Sequence, residues 1–306
     1  MANIRPGSAI VSCPGCGELA WIRDRYPISG LEPGSMDIVV AAPGRAGGAI
    51  ALAAAGAGHN IVALVSRSPV GSCLGHFPLL GYDDPLPLAD LLVVAARDNA
   101  IGAVAAMLVD EAGPPAAAIH LSGYTPVGAL QVLAEGGWEV GSFHPLQTLP
   151  TAELGAAALA GSAVAVTAAE PLRSRLWQLA TDLGLVPFDL DDSSKPAYHA
   201  AATAASNYVV ATLGIADELF AACGVPLQVA RSLTEAVVAN AYSLGPRAAL
   251  TGPIARQDWD TVIGQVAAAD AVSPVLGAAF RSLAEATGYV ANVSLPESRD
   301  PGPGSK

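Results

Sequence analysis

The chain has 306 residues, of which 52% are hydrophobic and 14% are charged, so it can bury a large core and is not disordered overall. Its formal net charge is −12, from 15 lysines and arginines against 27 aspartates and glutamates, which disfavours nucleic acid as a partner because a polyanion would be repelled. Residues 1–11 lack the pattern of a signal peptide, and no run of about 18 apolar residues occurs, so we expect a cytoplasmic protein without a membrane segment.

Residues 1–35 are rich in proline, glycine and arginine and show no sustained period, so they are predicted to form a poorly ordered extension. This extension contains Cys13 and Cys16, whose C-x-x-C spacing is that of half a zinc ribbon or of a redox pair, but the two further ligands of a zinc site are lacking. No metal site is therefore predicted, and four cysteines in so long a chain do not indicate a disulfide framework.

From residue 36 to residue 192, short apolar runs alternate with helical stretches, which is typical of an α/β domain. Because each run is continuously apolar, both faces of the sheet are predicted to be covered, as in a Rossmann-like, doubly wound and mostly parallel sheet. The predicted strands are residues 38–41, 61–65, 91–95, 117–121, 139–144, 163–166 and 186–190. Residues 71–90 show no obvious crossover helix.

After residue 192 the strand pattern stops, and an all-helical C-terminal domain is predicted over residues 193–292, followed by a loose tail at 293–306. Its helices are rich in alanine and glycine with few charges, as in residues 200–223, and need covering on more than one face. We therefore expect a homodimer that forms through the helical domain.

The first strand is followed by a degenerate G-x-G-x-x-G turn in which alanine occupies the first glycine position. Gly44 keeps the place where a pyrophosphate approaches the backbone, and Gly47 keeps the helix–strand contact. Ala42 adds a methyl group at the turn, which is tolerable if its φ is negative. The free N–H groups of the following helix, with Arg45, favour binding of a dinucleotide; a close-packed turn without a ligand is the alternative. The turn consists of Ala42, Pro43, Gly44, Arg45, Ala46 and Gly47.

The second strand ends in Ser66 and Arg67, where an NAD-binding fold normally has an acidic residue for the ribose hydroxyl. A guanidinium group suits a 2′-phosphate, so NADP (NADPH) is predicted over NAD, although a solvated surface arginine is the alternative. Ala95 and Ala96, at the end of a later strand, complete the predicted cofactor-binding set.

Several motifs then follow in a fixed order that resembles an oxidoreductase family joining a Rossmann-like domain to a C-terminal helical domain of unknown function 2520. The motifs are residues 91–101 (LLVVAARDNAI), 120–123 (HLSG), 141–148 (GSFHPLQT), 195–202 (KPAYHAAA), 205–208 (ASNY) and 250–256 (LTGPIAR). The resemblance runs from about residue 37 to residue 290. More distantly, the chain is similar to the 6-phosphogluconate dehydrogenase and ketopantoate reductase superfamily. The resemblance implies hydride transfer between NADPH and a small oxo acid, hydroxy acid or imine, and pairing through the helical domain.

Hydride transfer to or from an alcohol needs a group that gives or takes the hydroxyl proton, and histidine suits this role. His144 ends a predicted strand and precedes a proline. This His-Pro pair resembles that of prephenate dehydrogenases, where such a histidine works at the substrate hydroxyl. We therefore expect His144 to be a general acid and Ser122 to hydrogen-bond a substrate oxygen, with His120 a weaker candidate. The alternative is that His144 only caps the sheet edge.

His199, Thr203 and Asn207 are spaced at i, i+4 and i+8 after Lys195 and are predicted to share one helix face. In the related reductases the equivalent helix carries a lysine and asparagines that bind the substrate carboxylate and carbonyl. His199 and Asn207 are therefore predicted to orient a small-molecule substrate, with an acid favoured. Lys195 is predicted to contribute an ammonium group, and a lysine that points to solvent is the alternative.

Two other functions remain open at this point. One is a dinucleotide-binding regulator or an inactive reductase homologue without turnover, and the other is a ligand-free scaffold for dimerisation. Convergent polar groups such as His144, His199 and Asn207 disfavour the scaffold, because a scaffold has no use for them.

Overall fold

The computed structural model describes residues 34–109 and 116–295, and its contacts divide the chain into two compact units, Met1–Thr203 and Ala204–Lys306. Cys13, Cys16 and most of the predicted extension and tail lie outside the described residues. The predicted domain boundary at residue 192 stays a prediction, since the contacts group residues 193–203 with the first unit.

The first unit is built on one eight-stranded sheet of order β3-β2-β1-β4-β5-β6-β7-β8. Adjacent strands are parallel except for β6 and β7, which are antiparallel. The predicted fold class, a Rossmann-like and mostly parallel sheet, is confirmed. The strands are β1 Asp37–Ala41, β2 Asn60–Val65, β3 Leu79–Leu80, β4 Leu91–Val94, β5 Ala117–His120, β6 Glu139–Pro145, β7 Ala163–Ala168 and β8 Val186–Asp189.

The packing of the core explains why the strands appear in the sequence as continuous apolar runs. Alternate residues of β1 enter two separate hydrophobic clusters, with Ile38 and Val40 in one and Val39 and Ala41 in the other, so both faces of the sheet are buried. The helices that cover these faces are α1 Arg45–Gly56, α2 Ile101–Leu108, α3 Gln131–Glu135, α4 Ala152–Leu159 and α5 Leu172–Asp182.

The reversal of β7 follows from the short connection that precedes it. The helix α4 packs against α1, where Gly155 and Gly48 allow close contact, instead of crossing the sheet. The chain therefore re-enters the sheet at the edge where β6 ends, and Pro145 pairs with Val164. Residues 71–90 have no crossover helix, as expected; they form a 3-10 turn, Ser72–Leu74, and the two-residue strand β3.

Helices joined by turns make up the described residues from 195 to 291, as predicted, but one break was not expected. Ser206 has φ −123° and ψ −77°, away from helical values, and it separates two helices. The prediction of one continuous helix face carrying His199, Thr203 and Asn207 is therefore wrong. The helices are α6 Lys195–Ala205, α7 Asn207–Ala222, α8 Arg231–Leu244, α9 Pro246–Ala249, α10 Trp259–Val272 and α11 Pro274–Ala291. None of the helices in residues 34–109 and 116–295 is long and apolar enough to cross a membrane.

Candidate functional site

The carboxyl ends of four strands meet at one edge of the sheet. The pairs Ala41–Val94, Val94–His120 and His120–Ser142 place the ends of β1, β4, β5 and β6 side by side. The chain leaves β1 for β2 on one side and reaches β4 on the other, which makes a topological switch point. Ligands of open α/β sheets bind in the crevice at such a point.

The turn after β1 is tight and strained. Its tightness comes from two hydrogen bonds, from the Ala42 N–H to Val65 O at 2.9 Å and from the Gly44 N–H to Ala42 O at 2.7 Å. Ala42 has φ +55°, so the condition under which its methyl group would be easily tolerated, a negative φ, is not met. The left-handed region is one that favours glycine. Alanine therefore adopts the backbone conformation of the glycine that it replaces.

Two glycines of the turn have different surroundings. A Cβ on Gly47 would lie 2.5 Å from the Ala95 Cβ, so only glycine lets α1 pack against the residue that follows β4. A Cβ on Gly44 would meet nothing closer than Ala42 O at 3.9 Å. Gly44 therefore borders open space at the start of α1.

The start of α1 fits an anionic group. Gly44 is the N-cap and offers no side-chain hydrogen bond, and the first turn contains no acidic residue. The first N–H groups of the helix are thus not satisfied by a cap, and the exposed Arg45 adds a positive charge. An anionic group placed beside Gly44 would accept hydrogen bonds from these N–H groups.

Arg67 lies at the neighbouring edge, beyond β2. Its Nη2 is 3.1 Å from the Met107 sulfur, and its Cζ is 5.5 Å from the centre of the Tyr82 ring. The side chain is exposed, and Ser66 accepts a hydrogen bond from the Ser68 N–H at 3.2 Å. Tyr82 was not predicted, because its approach to Arg67 depends on β3 pairing with β2.

His144 is held on two sides at the carboxyl end of β6. Its Nδ1 lies 2.8 Å from the Tyr198 hydroxyl, and the two rings are perpendicular. A Cβ on Gly123 would lie 2.7 Å from both Cε1 and Nδ1 of His144, so the ring rests against the Gly123 backbone. Neither Gly123 nor Tyr198 was predicted as a site residue, although both belong to the motifs that carry the resemblance.

Burial keeps both members of this pair neutral near pH 7. Burial, followed by the nearby His199 ring, lowers the pKa of His144 to about 4, while the Asp98 carboxylate opposes this shift. Burial also raises the pKa of Tyr198 well above its usual value. His144 is therefore an uncharged imidazole that contacts a protonated phenol.

The hydroxyl of Ser122 forms its hydrogen bonds within its own loop. The oxygen accepts the N–H groups of Tyr124 at 3.1 Å and Thr125 at 2.9 Å, and the hydroxyl lies 3.0 Å from Thr125 Oγ1. The Ser122 N–H donates to Nδ1 of the fully buried His120 at 3.2 Å. Burial, followed by the nearby Lys195 charge, lowers the pKa of His120 to about 4. These contacts favour a structural role for both residues.

Lys195 fastens the same loop to the start of α6. Its side chain is 1% exposed, so the alternative of a lysine that points to solvent is wrong. The Nζ donates to Thr125 O at 2.9 Å and pairs with Asp192 Oδ1 at 2.8 Å, and the Asp192 carboxylate accepts the Val127 N–H. Burial lowers the pKa of Lys195, and Asp192 opposes this shift. Its charge is thus already matched by a carboxylate.

The structure brings only part of the predicted catalytic set together. The His199 ring centre lies 6.4 Å from that of His144 and 5.8 Å from that of Tyr124. Asn207 lies beyond the break at Ser206 and belongs to the second unit, so its predicted role stays a prediction. Within the described ranges, no group of three or more histidines, cysteines and carboxylates could hold a metal ion.

Comparison with known proteins supports the same class of fold. Residues 162–287 match the family model of the domain of unknown function DUF2520. A search of curated proteins found no match.

Three solved structures illustrate the similarity. A presumptive NADP oxidoreductase from Bacteroides fragilis aligns with a TM-score of 0.71 and 21% identity, over 83% of this chain and 98% of its own. A Thermotoga maritima protein aligns with a TM-score of 0.63 and 19% identity, over 83% and 98%. The reductive aminase of Aspergillus terreus, solved with NADPH and ethyl levulinate, gives 0.56 and 16%, over 85% and 89%.

The fold and the turn at β1 define a Rossmann-like protein with a helical C-terminal part, and this fold is shared with the solved structures above. The region of residues 162–287 is similar to the domain of unknown function DUF2520, which confirms the resemblance that the sequence motifs indicate.

Proposed function

We propose that this protein is an NADP-dependent oxidoreductase that transfers a hydride between NADPH and a small oxo acid, hydroxy acid or imine. The observation that carries the proposal is the placement of His144. His144 lies at the carboxyl end of β6, at the same sheet edge as the glycine turn that follows β1. Contacts with Tyr198 and Gly123 fix the position of its ring. Similarity in fold to proteins solved with NADPH supports the proposal.

The cofactor would be held by the turn from Ala42 to Gly47 and by the residues that follow β2 and β4. The free N–H groups of α1 and Arg45 would bind the pyrophosphate, with Pro43 and Ala46 completing the turn. Ser66 and Arg67 would bind the 2′-phosphate, and Ala95 and Ala96 would border the crevice. When bound, NADPH would supply the hydride.

The preference for NADPH over NADH is assigned to Arg67. Arg67→Ala should weaken NADPH binding by about 1.5–3 kcal/mol, because a charge-assisted hydrogen-bonding group is lost. NADH binding should change little, since NADH has no 2′-phosphate. Calorimetric titration with both nucleotides measures this difference, and equal affinity of the unmodified protein for the two would refute the assignment.

The proton is assigned to His144 as general acid, acting from its neutral form. A pKa of about 4 leaves few protonated rings at pH 7, so the neutral imidazole N–H first hydrogen-bonds to the carbonyl oxygen or imine nitrogen. As the hydride arrives, that atom becomes basic enough to take the proton, and the ring then regains a proton from solvent. The His199 ring lies close enough to help orient the substrate. Lys195 and Ser122 instead support the loop beside His144, and a role for Asn207 in substrate binding stays a prediction.

Steady-state kinetics of His144→Ala tests this assignment, with a panel of oxo acids and imines to find the substrate. Turnover should fall by about 10²–10⁴-fold, as it does when a positioned proton donor is removed. NADPH affinity should stay nearly unchanged, because the ring does not contact the glycine turn. Tyr124→Phe is the control, since it alters an exposed ring near His199 and should keep turnover close to normal. Full activity of His144→Ala would remove His144 from the mechanism.

The second candidate, a dinucleotide-binding regulator without turnover, shares the cofactor site. Its support is the strained alanine at the first glycine position of the turn. NADPH binding without turnover of any panel substrate would favour it over the reductase.

A further inference from the structure

We propose that Tyr198 is a positioning residue that fixes the neutral ring of His144 in the tautomer with its proton on Nε2. This inference rests on the proposed function only for its consequence in catalysis. The tautomer itself can be observed in the protein without any substrate.

The contact between the two side chains has a fixed geometry. The Tyr198 hydroxyl lies 2.8 Å from Nδ1 of His144, and the rings meet edge to face at 90°. The Phe188 ring packs edge-on to Tyr198, with centres 5.9 Å apart. The phenol is therefore held between β8 and β6, and its hydroxyl has a defined direction.

Chemistry decides which group donates in this hydrogen bond. A phenol is a far stronger acid than a neutral imidazole N–H, and an imidazole nitrogen is a far stronger base than a phenolic oxygen. The Tyr198 O–H therefore donates, and Nδ1 of His144 accepts. Because one ring nitrogen of a neutral histidine carries the proton, the proton must then lie on Nε2.

The other surroundings of the ring leave Nε2 available. The Gly123 backbone covers the ring face, and no described residue hydrogen-bonds Nε2. The ionisable groups that act on His144 are His199, Asp98 and Lys195, and the Lys195 charge is matched by Asp192. The Nε2–H is thus the donor that His144 can offer to a substrate atom.

The catalytic consequence concerns the population of the competent tautomer. Without the Tyr198 hydroxyl, Nδ1 loses its donor and the proton distributes between the two nitrogens. A neutral hydrogen bond of this kind changes an equilibrium by about 2- to 10-fold. The competent tautomer then falls from nearly all of the rings to about half of them, so in the active protein Tyr198→Phe should lower kcat by about 2-fold. KM should stay nearly unchanged, because ground-state binding of the substrate is not altered.

The decisive test is two-bond ¹H–¹⁵N correlation spectroscopy of the full chain labelled in its histidines, at pH 7. The signals of His144 are assigned by their loss in His144→Gln. In the unmodified protein we expect an unprotonated Nδ1 and a protonated Nε2. In Tyr198→Phe the two nitrogen shifts should move towards each other, whereas Tyr124→Phe should leave them unchanged.

Two results would overturn the inference: a protonated Nδ1 in the unmodified protein, or His144 nitrogen shifts that Tyr198→Phe does not move. The proposed function can fail independently. If the expected tautomer and its loss in Tyr198→Phe are observed but no substrate is turned over, the reductase proposal fails and the positioning role of Tyr198 stands.

Discussion

Ala42 is the residue at which the sequence pattern and the backbone disagree most. The turn imposes φ +55°, and an L-residue with a Cβ has a higher energy there than glycine has. Ala42→Gly should therefore raise the free energy of unfolding by about 0.5–1 kcal/mol. Urea denaturation measures the change, with Ala53→Gly inside α1 as a control that should destabilise the protein by a similar amount. A less stable Ala42→Gly variant would show that the turn is not strained.

The second prediction concerns the pH dependence of the free energy of unfolding, to which His120 and His144 contribute. His120 and His144 have folded-state pKa values near 4, below the usual 6.5, so the unfolded chain binds more protons between these values. Their stabilising contribution is therefore complete above pH 6.5 and is lost as the pH falls towards 4.

Between pH 7 and pH 5 the free energy of unfolding should fall by about 2 kcal/mol for His120, and by less for the more exposed His144. Urea denaturation at the two pH values measures this loss. His120→Gln should remove its share of the pH dependence. An identical pH dependence in that variant would contradict the buried, neutral state of His120.

The residues of the site show how far sequence reasoning reaches. His144 and His199 could be found, because histidine near a strand end or helix start is a recognisable chemical signal. Tyr198 could not be chosen over other tyrosines, since its contact with His144 joins residues 54 positions apart. The burial of Lys195 could not be predicted either, because it depends on a contact with the Thr125 carbonyl, 70 positions away in the sequence.

At the scale of elements, Lys195 connects the loop of residues 122–127 to α6. Lys195→Met keeps much of the buried chain but removes the partner of Thr125 O and Asp192, so it should destabilise the protein by about 1–3 kcal/mol. The matched control is Arg231→Met, which breaks an exposed ion pair with Glu235 and should change stability by at most about 0.5 kcal/mol. Thermal unfolding compares the two variants, and equal effects would show that the buried lysine does not fasten the loop.

The elements also show why some of the fold was predictable and some was not. Continuous apolar runs revealed the central strands, because a strand buried on both faces has no polar alternation. The direction of β7 was not visible, since it depends on α4 packing against α1. No glycine or proline occurs at the break at Ser206, so the spacing of polar residues alone predicted a helix that continues through this position.

At the scale of the whole molecule, we propose that the chain forms a homodimer through its helical part. The helices α7 and α8 contain no buried residue, and their exposed side chains include Val210, Leu233, Val237 and Tyr242. An apolar surface of this extent is typical of a face that another subunit covers.

Light scattering at micromolar concentration should therefore give the mass of a dimer. The double variant Leu233→Glu and Val237→Glu places two charges on this face of α8 and should give a monomer. Leu154→Glu, at an exposed leucine of the first unit, should remain dimeric. A monomeric unmodified protein would contradict the proposal.

The central claim, an NADP-binding oxidoreductase, is tested most directly by calorimetric titration of NADPH into the unmodified protein and into Gly44→Val. A Cβ at Gly44 meets no atom closer than 3.9 Å, so the added side chain should fill the space of the pyrophosphate at little cost to folding. Gly56→Ala, at the other end of α1, is the control, because it also adds a Cβ in open space. We predict saturable binding of one NADPH per chain in the unmodified protein and in Gly56→Ala, and loss of this binding in Gly44→Val. The absence of binding in the unmodified protein, or undiminished binding in Gly44→Val, would contradict it.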